Sequence, residues 1–144
     1  MRTCINNSLN SLVYKTNIIL KSKLQSALSD FDITSEQWVM LERLYEKDGC
    51  NQKELAIDSF KEQAAITRTL DILEKKRLIE RRKSMADRRE FLIFITEKGI
   101  ELHNKTLPNA KLYRDSLNSI LSQEETETLT MLLNKLCNGL LSST

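Results

Sequence analysis

Glycine and proline are scarce in this chain, with three and one among 144 residues. A sequence so poor in turn-formers has few tight turns, and a mostly helical fold is expected. Histidine occurs once, at His103, on a position the helical pattern predicts to be exposed. With one histidine and no glycine-rich phosphate loop, neither a Ser/His/Asp nor a Cys/His arrangement can be built, which argues against an enzyme. The three cysteines, Cys4, Cys50 and Cys137, lack the paired spacing and the neighbouring histidines of a zinc site, so no metal and no cofactor is expected. No apolar run approaches the roughly 20 residues of a membrane span. Residues 1–7 lack the apolar run of a signal peptide. The reading is a cytoplasmic protein with no membrane partner, in which the thiols stay reduced. Cys137 falls among Leu132, Leu133, Leu136 and Leu140, where packing is its expected role. Cys4 and Cys50 are either inert thiols or oxidant sensors.

Charge is balanced overall but unevenly placed. The net charge is +2. Between Lys75 and Arg89 there are eight cations against two anions, giving +6 and leaving −4 for the rest of the chain. A charge run is commonly a solvated face. This one coincides with a structural pattern that gives it another use. Residues 86–99 read A-D-R-R-E-F-L-I-F-I-T-E-K-G. Asp87, Arg88 and Arg89 form a charged turn, Phe91 to Ile95 an apolar strand, and Thr96 a helix N-cap with Glu97 in the first turn. Residues 78–83 supply a partner strand. An amphipathic helix over residues 62–76 lies just before this cationic hairpin. A helix followed by a basic hairpin is the winged helix-turn-helix arrangement, which binds duplex DNA.

The remaining segments read as helices. Residues 5–29 carry apolar side chains at steps of three and four. Thr34 and Gln37 make a capping box for a helix through Trp38, Leu41, Leu44 and Tyr45 that stops near Asp48 and Gly49. Asn51 caps a short helix over residues 52–57, joined by a brief turn to the next, in which Ile66, Leu70 and Leu73 share one face. Residues 97–107 are helical with Ile100 inward, Pro108 starts or kinks the continuation, and residues 110–121 carry it on. Ser122 and Glu125 form a second capping box before a helix bearing Leu129, Leu132, Leu133, Leu136 and Leu140. The two end helices hold more large apolar residues than a small DNA-binding core needs. They either cover one monomer or join two chains, and the second reading is favoured.

The ordered set Gln52-Lys53-Glu54-Leu55-Ala56, Ile66-Thr67-Arg68-Thr69-Leu70-Asp71-Ile72-Leu73-Glu74-Lys75-Lys76, Leu78-Ile79-Glu80-Arg81, the Asp87-Arg88-Arg89 turn and Thr96-Glu97-Lys98-Gly99 resembles the MarR family of transcription regulators. The likeness runs from about Leu9 to Leu140. Two positions depart from it. Arg77 stands where the family has glycine at a helix end, at a cost of roughly 1 kcal/mol or a shifted end. The turn at Ser59, Phe60 and Lys61 lacks the family's small residue.

The resemblance implies one domain over residues 1–144, mostly α with a small β-hairpin wing. Dimerisation helices fall at about 5–29 and 100–141, and a winged DNA-binding region at about 34–99. It implies a homodimer on a palindromic duplex operator, recognition helices in successive major grooves, wings reaching the minor groove, and repression relieved by a small ligand or oxidant. Gln63, Ala64, Thr67 and Arg68 become base readers: glutamine suits adenine, arginine guanine, and the methyl groups thymine. Arg89 becomes the wing arginine, Asp87 the acid that braces it, and Arg88 its neighbour. Lys75, Lys76, Arg81, Arg82 and Lys83 are phosphate contacts that position without specifying. Tyr14, Phe31, Trp38, Tyr45 and Tyr113 are candidates for a ligand crevice, against the plainer reading of core aromatics. The competing function is a winged helix used for protein–protein assembly without DNA. Such a module has no reason to gather +6 beside its recognition helix.

Overall fold

The computed structural model describes residues 8–59 and 63–143. The elements run α1 (Leu9–Ala27), α2 (Ser35–Glu46), β1 (Cys50–Asn51), α3 (Gln52–Ser59), α4 (Gln63–Lys75), β2 (Ile79–Lys83), β3 (Phe91–Ile95), α5 (Glu97–Asn118) and α6 (Gln123–Ser142). The helix starts follow the sequence's hydroxyl caps. Ser8, Thr34, Thr96 and Ser122 each accept a hydrogen bond from the backbone N–H three residues on. The Thr34 and Ser122 backbone N–H groups in turn donate to the Gln37 and Glu125 side-chain oxygens, completing two capping boxes. Cys4, Ile5, Phe60 and Lys61 lie outside the described residues.

The strands form one antiparallel sheet in the order β1-β3-β2. The expected hairpin is present, with Arg81 opposite Ile93 and Lys83 opposite Phe91. A third strand joins it, since Cys50 pairs with Ile93 and Asn51 with Leu92. Two residues are too few to show a period-two pattern, so β1 left no sequence signal.

The core lies between α2, α4, the sheet and the near ends of α1 and α5. Leu28, Leu41, Leu44, Ile66, Leu70, Leu73, Ile79 and Ile93 are fully buried. Each contributes about 1.5–3 kcal/mol relative to an exposed position. The C-terminus of α4 closes in a Schellman turn. The Leu78 N–H donates to the Leu73 carbonyl and the Arg77 N–H to the Glu74 carbonyl, both at 2.9 Å. Arg77 adopts φ +61, the left-handed conformation glycine would take there without strain. Strand β2 therefore starts at Ile79, and Leu78 serves the turn.

Two expectations for α5 are corrected. Its inward face is Gly99, His103, Thr106 and Ala110, spaced four, three and four residues apart. Ile100, one residue off that stripe, points outward. His103 is not exposed: it is 3% accessible, stacked on Tyr45 at 4.1 Å between ring centroids, with Trp38 beyond at 6.2 Å. The inward stripe is small and polar because α5 passes close to other backbone. A Cβ on Gly99 would overlap the Leu78 carbonyl oxygen and sit 2.7 Å from Ile95 Cγ1. Trp38 Nε1 also donates to Thr106 Oγ1 at 2.8 Å, giving that buried threonine a partner. Pro108 does not start a separate helix. It sits inside α5 on the exposed side, where solvent can satisfy the carbonyl its missing N–H leaves open.

Candidate nucleic-acid interface

Helices α3 and α4 are the helix-turn-helix. Asn51 caps α3 through Oδ1, which accepts from the Glu54 N–H at 2.8 Å. Its Nδ2 donates to the Glu90 carboxylate at the end of the wing loop, and its backbone pairs with β3. One residue thus ties helix, sheet and wing together. In α4 the buried stripe is Ile66, Leu70 and Leu73. Gln63, Ala64 and Arg68 are exposed on the other side, with Thr67 half-buried beside them. The four residues expected to read bases therefore share the first two turns of one solvent-facing surface.

The wing loop between β2 and β3 is held by its own short side chains. Ser84 Oγ accepts from the N–H groups of Ala86 and Asp87 at 3.2 and 3.3 Å. Asp87 Oδ1 accepts from the Arg89 N–H at 2.9 Å, and the Asp87 carbonyl from the Glu90 N–H at 3.1 Å. Asp87 braces the turn through the backbone of Arg89, leaving the guanidinium unengaged. Among the described residues no carboxylate lies within ion-pair distance of Arg68, Lys75, Lys83, Arg88 or Arg89.

The other cations named for phosphate contact have partners within the chain. Arg81 turns back to α4, with Nη1 at 2.9 Å from Asp71 and 3.4 Å from Glu74, and is only 21% exposed. Arg82 pairs with Glu80 and lies over the Phe94 ring, 4.4 Å from its centroid. Lys76 donates to the Asp32 carbonyl at 2.8 Å and to Gln37 Oε1 at 3.2 Å. Lys76 and Arg81 brace the winged unit, whereas Arg82 stays 61% exposed. A groove of about 350 Å³ runs between α3 and the wing, lined by Gln52, Lys53, Arg81, Asp87 and Arg89 among others.

The aromatic residues named for a ligand crevice do not come together. Trp38 is a core residue, 3% exposed, and Tyr45 is half of the stack on His103. Tyr14 stands in solvent on α1, at 69% exposure, and Phe31 packs against the core. Tyr113 lines a cleft of about 320 Å³ with Leu20, Lys21, Leu24, Glu36 and Val39. Its hydroxyl donates to the Leu20 carbonyl at 3.3 Å, and burial pushes that hydroxyl's pKa up. Cys50 is buried in β1, a poor place for an oxidant to reach, whereas Cys137 is exposed on α6. Burial pushes the His103 imidazole below its usual 6.5; Glu42 and Glu46 oppose that shift and Arg114 adds to it. Neither ring nitrogen has a hydrogen-bond partner.

Sequence reasoning missed Gln52, whose amide reaches Gln63 and Thr67 across the helix-turn-helix. Its partners are 11 and 15 residues away, beyond any local signal. Ser84 was missed too, although a serine two and three residues before loop N–H groups is a recognisable turn pattern. No helix among the described residues is long and apolar enough to cross a membrane, and they hold no cluster of metal-ligating side chains.

Comparison with known proteins gives three concordant results. The MarR family model matches residues 33–91. The HTH-type transcriptional regulator MhqR of Bacillus subtilis is 35% identical over 99 residues, covering 69% of this chain and 68% of that protein. Among solved structures, the S. aureus MepR–DNA complex superposes with a TM-score of 0.84 at 30% identity, over 92% of this chain and 98% of that one. A MarR mutant from E. coli complexed with operator DNA also gives 0.84, at 27% identity, over 89% and 92%.

Proposed function

The chain belongs to the MarR family of transcription regulators, and on that premise we propose that it is a homodimeric, sequence-specific DNA-binding repressor released by a small effector. The observation that carries the reading is the sorting of cations. Among the described residues Arg68 and Lys75 on α4, and Lys83, Arg88 and Arg89 on the wing, are left without carboxylate partners, while Lys76 and Arg81 are tied down as braces and Arg82 pairs with Glu80 on the surface. Unpaired cations on one helix and the adjoining hairpin are what contacts to a phosphate backbone require. Residues 34–99 form the winged DNA-reading part, with Gln63, Ala64, Thr67 and Arg68 at base edges and Arg89 at the minor groove. Lys75, Lys83 and Arg88 hold phosphates.

The dimer rests on α6. None of its residues is buried, yet Leu129, Met131, Leu132, Leu133, Leu136, Leu140 and Leu141 lie along it. Leu9, Leu12 and Val13 of α1 are exposed as well, and so many large apolar side chains in water call for a covering partner. The effector belongs in the cleft beside Tyr113, where α1, α2 and α5 meet. A change there alters how α5 carries the winged part.

Selection of binding sequences from random duplex DNA tests the whole reading. The expected product is a palindrome bound by two chains, with affinity falling steeply as salt rises. Equal binding to every duplex, or no binding, overturns it.

A further inference from the structure

Gln52 opens α3, and its side chain crosses to the first two turns of α4. Its Nε2 lies 2.6 Å from Thr67 Oγ1 and 3.3 Å from Gln63 Oε1, with the Gln63 main-chain oxygen at 3.5 Å. The Thr67 hydroxyl donates its proton to that same main-chain oxygen at 2.9 Å. A hydroxyl has one proton to give. With it committed, Thr67 Oγ1 meets Gln52 only as an acceptor, so Gln52 must present its NH2 group. The second hydrogen of that group points to Gln63, whose Oε1 at 3.3 Å is nearer than its main-chain oxygen. Gln63 thereby turns Oε1 inward and its own NH2 outward. This is the assignment in which every member of the chain is paired.

We infer that Gln52 sets which base Gln63 reads, without touching DNA itself. This rests on the reading that α4 enters the major groove and brings Gln63 to a base edge. An unrestrained glutamine can use both ends of its amide on adenine. Here the oxygen is held by Gln52, and the donor end faces out. Guanine presents N7 and O6 as acceptors in the major groove, and thymine presents O4. Cytosine presents only its N4 donor. The Gln52–Thr67–Gln63 chain therefore favours guanine or thymine under Gln63 and disfavours cytosine, while adenine, with its N7 acceptor beside its N6 donor, is accepted in either orientation. Gln52 is a positioning residue, and its chemistry predicts an inversion. Gln52→Glu places an acceptor where the NH2 was. Gln63 then turns its NH2 inward and its oxygen outward, towards the amino groups of cytosine or adenine.

The test is selection from a pool of random duplex DNA by the wild type and by Gln52→Glu, Gln52→Met and Gln63→Ala, with thermal melting of each protein. One position per half-site is expected to favour guanine or thymine over cytosine by about fivefold in the wild type, the worth of one hydrogen bond. Gln52→Glu should reverse that preference at the same position and leave the others alone. Gln52→Met, of similar length but with no amide, should flatten it. If Gln63→Ala leaves every position unchanged, Gln63 reads no base and the underlying reading fails with the inference. If Gln63→Ala relaxes one position while both Gln52 variants keep the wild-type preference there, the inference alone is overturned. Should Gln52→Glu not melt cooperatively, Gln52→Met decides.

Discussion

Arg89 stands on the wing loop with its backbone N–H held by Asp87 and, among the described residues, no carboxylate beside its guanidinium. Its side chain has no part in folding. Arg89→Ala is therefore expected to leave thermal melting nearly unchanged and to weaken operator binding at least tenfold, about 1.4 kcal/mol, with a shallower salt dependence. Binding titrations at several salt concentrations check it, and wild-type affinity would remove the wing from the interface. Arg77 poses the opposite case, a residue with a folding cost. At φ +61 its Cβ is strained in a turn that glycine fits, so Arg77→Gly should raise stability by about 1 kcal/mol in urea unfolding. His103 links stability to pH. Burial lowers its pKa below the 6.5 of the unfolded chain, so the unfolded state takes up the proton first as pH falls. The associated stability is present above about pH 6.5 and lost as pH drops through the native value. His103→Phe keeps the stack on Tyr45 and removes two unpartnered nitrogens. Its urea midpoint should fall less between pH 7 and about 5 than that of the wild type; parallel profiles would show the imidazole plays no part.

At the scale of elements, α5 meets the sheet through Gly99, where an added methyl group would overlap the Leu78 carbonyl. Backbone cannot give way as a flexible side chain would. Gly99→Ala should cost about 1–3 kcal/mol by displacing the start of α5, read as a lower melting temperature. The elements themselves were largely legible. Thr34 with Gln37, and Ser122 with Glu125, mark helix starts by side chains acting within three residues. Phe91–Ile95 announced β3 by its run of aromatic and branched residues. What failed was whatever depended on partners distant in sequence. Strand β1 exists because β3 lies alongside it. The inward face of α5 holds glycine, histidine and threonine because α2 and the Leu78 turn press on it, so apolarity pointed to the wrong residue, Ile100. Lys76 and Arg81, named for phosphate by charge alone, have partners within the chain as well, Asp32 and Gln37 for the first and Asp71 and Glu74 for the second, and these become visible only once the chain is folded.

For the whole molecule, a long helix with no buried residue is the feature a second chain would explain. Replacing Leu132 and Leu136 of α6 with Asp is expected to give a monomer in sedimentation, with operator affinity falling because each half-site must be held alone. A double variant that still sediments as a dimer would place the interface elsewhere. The continuity of α5 through Pro108 has a mechanical consequence. At 22 residues the helix is a stiff rod about 33 Å long. Its first turn is wedged against the Leu78 carbonyl, and its far end adjoins α6. Held at the α6 end, such a rod is a lever arm: tilting it by about 10° carries the other end roughly 6 Å. In a dimer matched to half-sites about 34–36 Å apart, that displacement would throw both reading heads out of step with the DNA while leaving each head's internal geometry intact. An effector beside Tyr113 would therefore not have to deform the surface it silences, only change an angle.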